Sequence, residues 1–317
     1  MAGDHDTAAA TLVSHDPVLA DFAAEVGSDG PVGIEGGRTR WLEGGVLDPD
    51  ARLVRAPVGI VDYVPEEMIV TVRAGTPVAD VHAALAERGQ RSALPERGGT
   101  VGGAVAVGQN DVSVLGRGTV RSAVLQVRYV SAEGRVVNGG GPTVKNVTGF
   151  DLPRLMVGSL GTLGFLAEVI LRTNPMPAVS TWYRADDVDP FAAHRQVLAP
   201  SAVLYDGTTT SILLEGHGVD VDHQAAALQQ VGAFVQCDQP VVPEGHRWSL
   251  APAELARLDR HETSDFVALI GVGTVFADKP QPSRSLSAGV QIIHDRMKSN
   301  FDPTGRLNPG RNPGAPR

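Results

Sequence analysis

Hydrophobic and polar positions follow two different periods along this chain, and the changes of period mark out its elements. Residues 68–73 form a β-branched run that predicts a strand. A helix follows: Thr76 stands as its N-cap, Pro77 occupies the first helical position and Gly89 ends it. Val78, Val81 and Leu85 recur at i, i+3 and i+7, which gives that helix one buried face. Residues 123–130 alternate as a strand, Ser131-Ala132-Glu133-Gly134 turns the chain, and residues 135–138 return as the hairpin partner. Asp151 caps a short helix through Met156, and residues 165–173 read as a strand closed by Pro175 and Pro177.

Beyond residue 178 the texture changes. Strands are expected over 211–215 and 266–271, helices over 220–234 and 284–300, and a loop over 243–252. The last of these helices reads as amphipathic. Asn308-Pro309-Gly310-Arg311-Asn312-Pro313-Gly314 excludes regular structure. The pattern therefore divides into a frayed N-terminus over 1–12, a first domain over 13–178, a small α+β domain over 179–300 and a tail over 301–317.

Composition narrows the function. With 317 residues, 42% hydrophobic and 20% charged, the chain reads as an ordinary globular protein of two domains. No apolar run approaches the roughly 18 residues that span a bilayer. The opening Met1-Ala2-Gly3-Asp4-His5-Asp6 is acidic where a signal peptide is basic, so the expected location is the cytoplasm. A net charge of −9 argues against a nucleic-acid partner. The single Cys237 excludes an intrachain disulfide, a CxxC redox pair and a cysteine-held iron–sulfur cluster, and is expected as a small buried hydrophobe. No HExxH or similar spacing marks a metal site.

Between Gly98 and Gly164 lie fifteen of the 37 glycines. Glycine at this density lets backbone approach a ligand closely or adopt positive φ. Exposed amides of such turns form concave anion sites, and a dinucleotide is the expected occupant. A Rossmann fingerprint fails on context: Gly158-Ser159-Leu160-Gly161-Thr162-Leu163-Gly164 is spaced GxxGxxG and precedes a strand, not a helix. Two separated turns, 35–39 and 98–103, are instead placed to clamp a pyrophosphate.

Four phrases occur in order: Arg73-Ala74-Gly75-Thr76; Gly99-Thr100-Val101-Gly102-Gly103; Gly139-Gly140-Gly141-Pro142-Thr143-Val144-Lys145-Asn146-Val147-Thr148-Gly149-Phe150-Asp151-Leu152; and Arg154 through Gly164. With the ending Phe301-Asp302-Pro303-Thr304-Gly305-Arg306-Leu307-Asn308-Pro309-Gly310-Arg311, they resemble the FAD-binding (PCMH-type) domain of the vanillyl-alcohol oxidase/p-cresol methylhydroxylase family. Within it the likeness is greatest to the FAD-binding subunits of glycolate oxidases. The resemblance covers residues 30–178 and the tail, and the middle of the second half poorly. It implies an α+β fold: a two-part FAD-binding domain of PCMH type, a small α+β cap domain, and a tail that returns to the flavin. By the same resemblance Glu35, Gly36, Gly37, Arg38 and Thr39 form the first pyrophosphate loop. Pro95, Gly98, Gly99, Thr100, Val101, Gly102 and Gly103 run along the pyrophosphate and isoalloxazine. Gly158, Ser159, Gly161 and Gly164 approach the adenosine, and Asn308 lies by the flavin ring. No histidine stands in the first loop, so FAD is expected to be bound non-covalently.

Lys145 has two readings, a partner for phosphate or reduced flavin and a structural ion pair. Arg38 and Arg40 are equally phosphate ligands or solvated arginines. Oxidising a 2-hydroxy acid needs a base for the hydroxyl proton and an arginine for the carboxylate. His217, His246 and His261 lie in the second domain, but none falls in a motif, and no catalytic base is named. The implied function is an FAD-dependent oxidoreductase that oxidises a small 2-hydroxy acid by hydride transfer to flavin N5. It would do so in a complex with a second flavoprotein and an iron–sulfur subunit. The alternative is an FAD-binding structural or electron-relay subunit with no substrate site of its own.

Overall fold

The computed structural model describes residues 16–141, 151–258, 265–282 and 287–314. Helix α1 (Pro17–Val26) starts where Asp16 accepts from the amides of Val18 and Leu19, with Pro17 in the first turn. Its buried Leu19, Phe22 and Val26 pack on a small parallel pair, β1 (Val32–Ile34) and β2 (Arg52–Val54). Leu307 of the tail makes a parallel bridge to Val32, so the end of the chain completes this lobe.

The central sheet is antiparallel, in the order β3 (Ile60–Val64), β4 (Ile69–Arg73), β8 (Phe165–Pro175), β6 (Val124–Val130) and β7 (Val136–Gly140). The short β5 (Gln90–Ser92) pairs with the end of β8. That pairing carries β8 to Pro175, two residues past the expected limit. Helices α2 (Val78–Ala86) and α3 (Val101–Val107) supply Val78, Val81, Leu85, Val101 and Val105 to the core beneath the sheet. Two short turns of helix, α4 (Val114–Arg117) and α5 (Val120–Ala123), and α6 (Leu152–Met156) complete it. Asp151 caps α6 by accepting from the Arg154 amide.

Thr76 is not the cap of α2. Its hydroxyl bonds the Gly59 amide at 2.9 Å and the Arg73 carbonyl at 2.7 Å, so it ties the strand end to a neighbouring loop, and Pro77 precedes the helix without a side-chain cap. A charged row crosses the sheet. Glu168 on β8 lies in register with Arg73 on β4 and Arg128 on β6, at 2.7 and 3.2 Å, and Arg73 also pairs with Asp16 at the head of α1.

The second sheet is antiparallel, in the order β12 (Val235–Cys237), β9 (Val179–Asp186), β11 (Thr209–Gly216), β10 (Ala202–Tyr205), β14 (Phe266–Leu269), β15 (Thr274–Ala277) and β13 (His246–Ser249). One face is covered by α7 (Pro190–Gln196) and α8 (Gly218–Leu228). The other, with Trp182, Leu204, Leu213 and Phe276, packs on Val112 and Val114 of the first part. Helix α8 stops at Leu228 because β12 begins seven residues later; the expected helix to residue 234 is thus too long. The expected loop 243–252 contains β13, held by pairing with β15. Cys237 is half-buried, not fully buried, on the edge strand β12, where it packs against the apolar cluster of Trp182, Leu204 and Phe276. Helix α9 (Ala288–Phe301) leads into the tail.

Candidate cofactor cleft

The chain leaves β1 into the first glycine turn. Glu35 keeps its amide on the Val54 carbonyl at 2.9 Å, while its carboxylate pairs with Arg38 and with Arg55 at 3.1 Å. Burial pushes the Glu35 carboxyl up, but the two guanidinium groups outweigh it and hold it below the usual carboxylate range. Arg38 sits at φ 54°, in the left-handed region. Among the described residues the amides of Gly36, Gly37, Arg38 and Thr39 have no protein acceptor. Four successive free N–H groups around one left-handed residue make an anion-binding nest.

The second turn faces the first. Gly98 and Gly99 have φ of 67° and 82°. A Cβ at Gly36 would lie 2.6 Å from Thr100 Oγ1, one at Gly37 3.0 Å from Gly99 Cα, and one at Gly99 2.5 Å from Thr39 Oγ1. The two turns can approach this closely only because the side chains are missing. Residues 101–103 are not bare loop, as expected, but the first turn of α3. Thr100 caps that helix by accepting from the Gly103 amide, and the Val101 and Gly102 amides donate to Thr76 and Ala74 carbonyls. The amides left over on this side are those of Gly98, Gly99 and Thr100.

The turn at 158–164 backs onto α3, with the Gly158 and Leu160 amides donating to the Val105 and Ala106 carbonyls. Asn308, at φ 44°, locks the tail to it. Its side chain donates to the Leu160 carbonyl at 2.7 Å and accepts from the Ile34 amide at 2.9 Å. Gly161 makes room for that amide, since a Cβ there would lie 2.6 Å from Asn308 Nδ2. Gly164 makes room for the ring of Tyr129 in the same way.

These turns enclose a cleft with two arms that share Ile34, Gly36, Gly37, Thr100, Gly103 and Ala106. One arm, about 100 Å³, is walled by Arg38, Thr39, Arg40, Trp41, Glu43, Leu47, Leu160, Asn308 and Arg311. The other, about 270 Å³, is walled by Glu35, Arg55, Ala74, Gly75, Gly102, Gly161, Gly164 and Phe165. The guanidinium groups of Arg38 and Arg311 lie over the Trp41 ring, 4.8 and 5.0 Å from its centre. The cleft thus gathers the expected Glu35, Gly36, Gly37, Arg38, Thr39, Thr100, Gly102, Gly103, Gly161, Gly164 and Asn308. Pro95 is buried and does not line it, Val101 is core, and Gly98, which is exposed, Gly99, Gly158 and Ser159 are not among its lining residues. Lys145 and most of the Lys145-to-Leu152 phrase lie outside the described residues. The sequence reading did not find Trp41 or Glu43, which carry no motif, and had Arg311 only as the last residue of the tail phrase, without a place in the site; their closeness to the two turns marks all three.

Among the described residues no histidine lines either arm, no group of three or more His, Cys, Asp or Glu is placed to hold a metal, and no helix is long and apolar enough to cross a membrane.

Residues 22–140 match the model of the FAD binding domain family. The chain is 38% identical to glycolate oxidase subunit GlcE of Escherichia coli, over 89% of this chain and 92% of that protein. It belongs to that family of FAD-dependent oxidoreductases. A D-2-hydroxyglutarate dehydrogenase of Xanthomonas citri is 34% identical over 45% of this chain and 31% of its own length. In fold the chain is similar to alkyldihydroxyacetonephosphate synthase, with a TM-score of 0.68, 14% identity, and coverage of 93% of this chain and 74% of that one. The cofactor of the family is FAD, and the α+β architecture is that of PCMH-type FAD-binding proteins. A glycine cradle that any Cβ would fill, with free amides around it, fits such a cofactor.

Proposed function

We propose that this chain is the FAD-carrying subunit of an enzyme that oxidises a small 2-hydroxy acid, working in the cytoplasm with a second flavoprotein and an iron–sulfur subunit. The observation that carries the reading is the pinch between turns 35–39 and 98–100, which approach closely and whose amides at 36–39 and 98–100 have no acceptor among the described residues. The diphosphate sits there, with each charge-assisted amide bond contributing about 1.5–3 kcal/mol. Asn308 and Trp41 would line the side of the cleft that takes the isoalloxazine, and Gly161, Gly164 and Phe165 the side that takes the adenosine. Attachment is non-covalent, consistent with the absence of histidine from the walls of the cleft among the described residues. When bound, FAD supplies a two-electron acceptor for the hydride on the carbon bearing the hydroxyl. This chain's contribution is to bind and orient it and to exclude water with Leu47, Val107 and Leu160. With Cys237 alone it cannot hold a cluster, so electrons leave through partner subunits.

The substrate class rests on the relatives, one named a glycolate oxidase subunit and one a dehydrogenase of D-2-hydroxyglutarate. A second reading, a relay subunit without a substrate site, is favoured by the second sheet. The face that it turns to the first part is filled by apolar contacts. Anaerobic addition of glycolate or D-lactate to the purified FAD-loaded chain separates them. Bleaching of the flavin bands supports the first reading, and unchanged bands the second. A chain that takes up no FAD at all overturns both.

A further inference from the structure

Helix α9 is amphipathic, and no described element buries its apolar side. Over its 14 residues no side chain is fully buried. Val290, Ile293, Met297 and Phe301 recur at i, i+3, i+7 and i+11 and so share one face. Only the end of that stripe is used. Phe301 packs against the core of the first part and Met297 is half-buried, while Val290 and Ile293 are 40% and 59% exposed. Ile292, 54% exposed, widens the bare end. The last turn is pinned: Lys298 donates to the carbonyls of Thr162 and Leu307 at 2.9 and 3.3 Å and pairs with Asp302 at 2.6 Å. The first turn closes on its own cap, where the Ser287 hydroxyl accepts from the Val290 amide. A helix of this length is marginal in water and is ordinarily stabilised by packing its apolar face.

The charges around the stripe decide what covers it. By helical spacing His294 and Lys298 border it on one side and Arg296 on the other. The one acid of the helix, Asp295, lies on the opposite face, where it accepts from Gln291 at 2.9 Å. Lys298 is spent on Asp302, whereas Arg296 is exposed and pairs with no carboxylate among the described residues. Basic borders are a local exception on a chain of net charge −9. Two copies joined through this stripe would set Arg296 and His294 of one against those of the other. We infer that the bare end of α9 docks in an apolar groove of a different protein, one rimmed by Asp or Glu. Val290 and Ile293 fill that groove, and Arg296 meets its rim. Through Lys298 and the Thr162 carbonyl the docking helix is fastened to the turn whose Leu160 and Gly161 wall the cleft.

The test places photoreactive benzoylphenylalanine at Ile293 and, in a second variant, at Asp295 on the opposite face. Each full chain is made in the cells that produce it naturally. Irradiation should join residue 293 to one different protein and leave residue 295 without an adduct, and peptide mapping should put the cross-link beside Asp or Glu of that protein. Ile293→Asp should then lower the affinity for the captured protein about thirtyfold, as expected for an anchor seated in a groove. Arg296→Glu should lower it about tenfold at low salt and much less at high salt. Both variants should take up FAD and unfold by heat as wild type does, because the residues changed are exposed. An adduct between two copies makes the stripe a homodimer seam, and one within a single chain shows that the chain covers it by itself. Either result overturns the inference, as do labelling of lipid, equal labelling from residues 293 and 295, and no adduct from residue 293. An Arg296→Glu variant that binds the captured protein as wild type does overturns the acidic rim.

Discussion

Gly37 and Gly103 lack side chains for different reasons, and alanine at each position separates them. A methyl at Gly37 meets the backbone of Gly99 at 3.0 Å and pushes the two turns apart. We expect Gly37→Ala to cost about 1–3 kcal/mol of stability by overpacking, and FAD affinity to fall with it. Gly103 sits in the first turn of α3 and its Cβ meets only Thr100 Oγ1, at 3.1 Å, while the position faces both arms of the cleft. Gly103→Ala should leave the apo protein as stable as wild type, or up to about 1 kcal/mol more stable from helix propensity. FAD titration should nevertheless show weakened binding. Equal losses of stability in the two variants, measured by urea unfolding without cofactor, would refute this distinction. At this scale the glycines were legible, because a missing side chain leaves a mark in composition. Glu43 was not, and Arg40 was legible only as a phosphate ligand or a solvated arginine: its bonds to Gln109 and Gly98 join residues far along the chain.

Between elements, the bond from β5 to β11 joins the two sheets. Arg91 meets Glu215 with two parallel contacts of 2.7 and 2.8 Å, and Ser180 adds a third at 3.1 Å. Burial acts to raise the Glu215 carboxyl, yet the hydrogen bonds from Arg91 and the serines hold it below its ordinary value. The folded state therefore binds this proton less readily than the unfolded one. The stabilisation is fully present above the unfolded value of about 4.3 and is lost as pH falls through the lower folded value. Arg91→Ala strands a buried carboxylate and should cost about 3–5 kcal/mol at pH 7. The gap to wild type in denaturant unfolding should narrow below about pH 4, where the carboxylate of the variant is neutral. A gap independent of pH would show that lost packing, not charge, is responsible. Elements with strong periodicity, such as α2 and β8, were legible from pattern alone. The strand β13 was not, since His246-Arg247-Trp248-Ser249 carries no alternation and is extended only by pairing with β15. Helix α1 went unread although Asp16 and Pro17 form a capping signature, and α3 was masked by the glycines that open it.

For the whole molecule the tail matters more than its length suggests. Asp302 accepts from the amides of Arg306 and Leu307 and from Lys298. Arg306 then donates to the carbonyls of Val26, Gly27, Asp29, Gly30 and Ala132, which satisfies the C-terminal end of α1. Arg306→Ala should cost at least about 3 kcal/mol, and Arg306→Lys nearly as much, because an ammonium cannot reach so spread a set of acceptors. Thermal unfolding of both variants checks this; a lysine variant as stable as wild type would mean that charge alone suffices. The same scan on wild type should show FAD raising stability by about 2.7 kcal/mol at a hundredfold excess over its Kd. The tail's phrase was legible as a family ending, but its work of closing the first lobe was visible only once Leu307 was seen beside Val32.

That closure has a temporal corollary. Ile34 of β1 and Asn308 of the tail are 274 residues apart in the chain, yet the cleft needs both. A ribosome-bound chain can fold its middle early, but it has no finished berth for the dinucleotide until residue 308 emerges from the exit tunnel.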